Sequence, residues 1–127
     1  MAASPQRVWR AWTDAAELAA WFWPDGFDTV AELDLRPGGG HRLESRVAGI
    51  GLAGEYLRVE APAVLEFTWQ WDGEAERTVV EVTLEAIPAG TVLTVVHRGF
   101  VTEDDRAIHA TGWRDCLDRL PAHLAAD

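Results

Sequence analysis

The sequence predicts an α+β fold: two short helices near the N-terminus, a curved antiparallel sheet of six strands, and one long C-terminal helix lying in the sheet's grip. Three observations carry this. Apolar residues fall at helical spacing before Pro24 and again after Thr102, while the stretch between them alternates with period two. That middle stretch is cut by Pro37-Gly38-Gly39-Gly40, Gly49 to Gly51, Ala61-Pro62, Asp72-Gly73 and Pro88-Ala89-Gly90, joints short enough for hairpins. With 127 residues, 48% apolar and 25% charged, the chain has the size of one domain spanning 1–127 around one core.

Ser4-Pro5 opens the first helix, the serine as N-cap and the proline at a position where its missing N–H costs nothing; it runs to about Thr13. Asp14 to Glu17 has capping-box spacing, so a second helix carries Leu18, Trp21 and Phe22 until Pro24 and Gly26 stop it. Six strands are expected over 28–35, 41–47, 53–60, 64–71, 76–86 and 91–97. In the fourth, Leu65, Phe67, Trp69 and Trp71 share one side; in the fifth, Val80, Val82 and Leu84 do. One face is therefore apolar and needs a cover. The run 103–126 supplies it, opened by Thr102 and three acidic residues, with His109, Trp113, Cys116, Leu117, Leu120 and Leu124 on one stripe. Arg114 with Asp118 and Asp115 with Arg119 stand at i,i+4 spacing, and Pro121 should kink the helix or end it near Leu120.

Seven tryptophans are the strongest functional signal, four of them between Val8 and Phe27. An indole has a large apolar body and one N–H that wants an acceptor, so a cluster either fills a deep core or lines a cavity with amphipathic walls. Trp9, Trp12 and Trp69 read as core. Trp23, Trp71 and Trp113, near element ends, read as pocket lining, with Trp21, Phe27, Phe67 and also Trp69, on the inward side of its strand, as further candidates. Gly112 is costly inside a helix, by roughly 0.5–1 kcal/mol against alanine, which suggests a close approach by a ligand or a strand.

His97 at a strand end and His109 on the inward stripe are candidates to present polar groups to a pocket; a surface position and a pairing with Asp105 are the plainer alternatives. His41 and His123 read as solvated. Glu55 shares parity with Leu57 and Val59, which would aim a carboxylate inward, where an apolar setting would raise its pKa. Catalytic templates find no match. The histidines lack metal-ligand spacing, the two serines stand in no recognisable elbow, and no cofactor motif is present. His109 and Cys116 are about 10 Å apart along a helix rising ~1.5 Å per residue, too far for a base and its nucleophile.

A formal charge of −10, with every basic residue an arginine, argues against nucleic acid or an anionic membrane as partner. No apolar run approaches the length of a membrane span, and the lone Cys116 forms no internal disulfide. Cytoplasm is the default expectation.

The stretches VWRAWTD, WFWPDGF, LDLRPGGG, LEFTW and HRGF, followed by GWRDCLDRL, resemble the START-like (SRPBCC) superfamily, in the branch related to the activator of the heat-shock protein 90 ATPase. The resemblance covers nearly the whole chain and implies a helix-grip fold with a cavity between sheet and long helix, which the superfamily uses for apolar molecules. It also implies a strand before the first helix, where this sequence has only Met1-Ala2-Ala3; an open sheet edge, or a homodimer in which another copy lends a strand, is then expected. Asp14-Ala15 is a second departure, at a place where the family often has proline. The reading that follows is a binder of a small hydrophobic or aromatic ligand. A lyase or cyclase acting on such a ligand and a co-chaperone-like interaction module are the alternatives.

Overall fold

A computed structural model describes residues 1–126. Helix α1 spans Pro5–Thr13 and α2 spans Ala15–Trp21, followed by a single 3-10 turn at Asp25–Phe27. The strands are β1 (Val30–Leu33), β2 (Gly40–Ser45), β3 (Ile50–Glu60), β4 (Val64–Trp71), β5 (Thr78–Ile87) and β6 (Gly90–Arg98), and α3 spans Glu103–Ala125. All six strands form one antiparallel sheet in sequence order, as hairpin-length joints require.

The helix starts follow from their caps. Ser4 Oγ accepts the Arg7 N–H, Asp14 accepts that of Glu17, and Thr102 accepts that of Asp105. Helix α3 passes through Pro121 to Ala125 instead of ending at Leu120. Its last turns are held from outside: Leu120 is fully buried, Leu124 packs on the core, and His123 bonds Glu17 at 2.9 Å. Glu17 also takes Arg7 and Arg10, each at 2.7 Å, so one carboxylate joins all three helices. Among the described residues, neither the Arg114–Asp118 nor the Asp115–Arg119 pair expected from i,i+4 spacing forms. Arg119 instead donates to the carbonyls of Trp21 and Phe22, at 3.1 and 2.7 Å. These are orphan acceptors at the negative end of α2, and the guanidinium supplies the donors they lack.

Two local departures decide where side chains point. Strand β3 carries an irregularity between Tyr56 and Arg58, across which the inward parity changes: Leu52 and Tyr56 are buried before it, and Val59 packs on the core after it. Glu55 is consequently exposed on the outer face, and its expected inward position is corrected. His41, expected in solvent, is buried: its Nε2 bonds the Thr68 carbonyl at 2.7 Å, and its ring packs on Tyr56 and Phe67.

The outer edge of β6 is not bare along its length. Met1 and Thr91 exchange both backbone bonds, at 2.7 and 2.9 Å, and Thr91 Oγ1 donates to the Ala3 carbonyl. The three residues before Ser4 thus pair with the edge of β6 beside Thr91.

Candidate functional site

Between α1, α2 and the concave face, the interior is filled by Trp12, Leu18, Leu43, Leu52, Leu65 and Phe67, leaving a void of only about 20 Å³. The large open volume lies at one end of the grip. There a cleft of about 490 Å³ opens between α3, the segment 22–27 and the end of β4, within the usual range for small-molecule sites.

Its walls are aromatic. Trp23 and Trp71 face each other at 6.4 Å between ring centroids and 14° between planes, with Phe27 at 6.2 Å from Trp23. Phe22, Trp69 and Trp113 form the floor, Trp69 lying 5.5 Å from Trp113 and 6.0 Å from Phe22. Gly112 leaves α3 without a side chain on this side, and no atom lies within 4 Å of where its Cβ would stand. The expected close approach of a strand at Gly112 is absent, and the glycine faces open cleft instead.

Beside the aromatic wall, two histidines and two indoles make two hydrogen-bonded chains. The Trp71 indole donates to His109 Nε2 at 2.8 Å, so the proton of His109 is on Nδ1, which donates to the Asp105 carbonyl at 2.8 Å. The pairing of His109 with Asp105 is therefore to its backbone. The Trp113 indole donates to His97 Nδ1 at 2.9 Å, leaving the His97 Nε2 proton to Thr78 Oγ1 at 2.6 Å. An indole can only donate, so both imidazoles must be neutral to accept from it. The rings sit 5.3 Å apart.

This has a sign. Burial, and secondly the neighbouring His109, push the His97 pKa down to about 3, and burial lowers that of His41 as well, partly offset by the Thr68 carbonyl. An unfolded histidine titrates near ~6.5, so below that pH the unfolded chain binds protons the folded chain refuses. Stability should be complete above about pH 6.5 and decline as the pH falls toward 3. Urea midpoints at pH 7.5 and 5 measure this, and the decline should shrink in His97→Gln, whose amide oxygen can still accept from Trp113. Equal midpoints in the native chain would contradict the assignment.

Of the eleven residues singled out from sequence, Trp23, Phe27, Trp69, Trp71, His109, Gly112 and Trp113 come together around this cleft. Trp21 does not: it is buried in the core, its indole donating to the Ala11 carbonyl at 2.9 Å. Phe67 lies in the far part of the core against His41 and Tyr56, and Glu55 is on the opposite face. His97 lies behind Trp113, lining a second hollow of about 320 Å³ between α3 and β6. Sequence reasoning missed Phe22, Pro24, Glu74, Asp105, Ile108, Asp115, Cys116 and Arg119 as cleft residues. Helical spacing offered a signal for some, since Asp105, Ile108, Gly112, Asp115 and Arg119 follow one another at steps of three or four. The Cys116 thiol is pushed up to about 12, chiefly by burial, with nearby Arg119 acting in the other direction. Among the described residues, no cluster of three His, Cys, Asp or Glu is placed to hold a metal, and no helix is long and apolar enough to cross a membrane.

Two short helices, a six-stranded antiparallel sheet and the long α3 in its grip make the START-like fold, which resembles that of the ligand-binding proteins of this class. The chain belongs to the Activator of Hsp90 ATPase homolog 1-like protein family, whose sequence profile matches residues 2–125. A Rhodobacter sphaeroides protein is similar at 27% identity and a TM-score of 0.84, covering 99% of this chain and 88% of its own. CalU16 from Micromonospora echinospora is similar at 28% identity and a TM-score of 0.78, over 98% of this chain and 71% of that one. DynU16, a protein of the dynemicin biosynthetic locus, shares 26% identity at a TM-score of 0.85; the match covers 98% of this chain and 44% of DynU16. No curated protein matches the sequence.

Proposed function

We propose that the chain binds a small, flat, largely apolar molecule in the cleft between Trp23, Trp71 and Trp113. The observation that carries this is the pair of nearly parallel, stacked indoles of Trp23 and Trp71 on the wall of an open volume large enough for a multi-ring ligand. The two histidines nearest the cleft have both ring nitrogens engaged, and Cys116 holds its proton firmly. Those three groups are poorly placed to exchange protons with a ligand, which favours binding over lyase or cyclase chemistry. The similarity to DynU16, from a biosynthetic locus, supports a small-molecule role rather than a co-chaperone one.

Titration with the neutral fluorescent probe N-phenyl-1-naphthylamine should quench tryptophan emission saturably. Trp71→Leu removes one of the facing indoles and should weaken binding by roughly tenfold or more, equivalent to ~1.4 kcal/mol. Saturable binding unaffected by this change would place the ligand elsewhere.

A further inference from the structure

The charges of α3 are sorted by side. Toward the cleft the helix presents Asp105, Asp115 and Arg119, and the loop after β4 adds Glu74. Toward the second hollow, on the other flank of the helix, it presents Arg106 and Arg114. The one cleft cation is already occupied, since Arg119 donates to the carbonyls of Trp21 and Phe22. The carboxylates are not: among the described residues, none of Glu74, Asp105 and Asp115 has a salt-bridge partner. Glu74 is held at the mouth by its backbone, its carbonyl accepting from Gln70 and its N–H donating to the Trp71 carbonyl. His109 offers a ligand nothing, because both its ring nitrogens are taken.

Three carboxylates against the guanidinium of Arg119 give the cleft a net negative charge, and it borders indole faces, whose quadrupole also attracts positive charge. The Trp69 indole, whose ring forms part of the cleft floor, has a buried N–H with no acceptor among the described residues. Taking the cleft as the binding site proposed above, we infer that its ligand is a cationic aromatic: a flat ring system bearing an ammonium group, selected over neutral and anionic molecules of the same shape. The ring system lies in the cleft against the stacked indoles of Trp23 and Trp71, and the ammonium stays at the mouth beside Glu74, Asp105 and Asp115.

Three probes of one shape test this: (naphthalen-2-ylmethyl)trimethylammonium, its neutral isostere with carbon in place of nitrogen, and naphthalen-2-ylmethanesulfonate. Tryptophan quenching should show the cation binding about tenfold tighter than the neutral isostere and tighter still than the sulfonate. The advantage should shrink in about 0.5 M salt and vanish in a Glu74→Gln, Asp105→Asn, Asp115→Asn triple variant whose melting temperature confirms that it is folded. Arg114→Gln, on the other flank, should leave it intact. If the neutral isostere binds as tightly as the cation, or the cation's advantage survives in the triple variant, the charge selection is overturned while the aromatic cleft stands. If none of the three binds saturably, the cleft reading falls, and this inference with it.

Discussion

A Gly54→Val chain is expected to lose a large part of its folded stability, the urea midpoint of the tryptophan-fluorescence transition falling by roughly a quarter or more. Gly54 lies in β3 opposite His41 of β2. His41 reaches over it to the Thr68 carbonyl of β4, while Thr68 Oγ1 accepts the Glu55 N–H at 2.8 Å. The missing side chain is what makes this crossing possible: a Cβ at Gly54 would collide with the Thr68 carbonyl oxygen and with His41 Nε2. The first obstacle is backbone and cannot rotate away, so β3 and β4 must part or the buried imidazole must give up its acceptor. Overpacking and a stranded buried polar group together belong to the rare class costing more than ~4 kcal/mol, against a total of about 5–15 kcal/mol for a small domain. Even Gly54→Ala meets the same carbonyl. A variant with a midpoint near that of the native chain would mean that the three strands can separate cheaply at this point.

Gly54 also shows why part of the molecule was illegible in the sequence. Period two and hairpin chemistry placed the six strands, and capping residues placed the helix starts, because these are local rules with local signals. They carried over to the cleft wherever an element ran regularly: Trp69 and Trp71 on β4, and His109, Gly112 and Trp113 on α3, needed only parity or helical spacing. Glu55 failed because one irregularity in β3 switches the inward side, and nothing in GEYLRVE marks where. His41 looked solvated because its acceptor is two strands away, and the glycine that opens its path matters only once β2, β3 and β4 are side by side. Arg119 was paired on paper with Asp115 by spacing, yet the carbonyls left over at the end of α2 compete for it, and they come near only when the helices pack. The acidic mouth was hidden for the same reason: Glu74 and Asp115 are 41 positions apart in sequence and meet around one cleft.

Gly112→Trp should separate binding from folding more sharply than any change to the aromatic walls. Removing Trp23 or Trp113 disturbs rings that also pack against the core, so a loss of binding there is ambiguous. Gly112 has no neighbour within 4 Å of its virtual Cβ, lies on the exposed cleft side of α3, and pays the helix cost of glycine for that vacancy. Gly112→Ala should raise stability by about 0.5–1 kcal/mol, because the unfolded chain loses freedom that the helix does not use. Gly112→Trp should keep the melting temperature at or above that of the native chain while its indole occupies the space between Trp71 and Trp113. Binding of N-phenyl-1-naphthylamine should then fall by about 100-fold or more, equivalent to ~2.7 kcal/mol. The two readouts move in opposite directions only if the open volume beside Gly112 is where the ligand sits. A folded Gly112→Trp chain that still binds the probe with native affinity would falsify the cleft as the site.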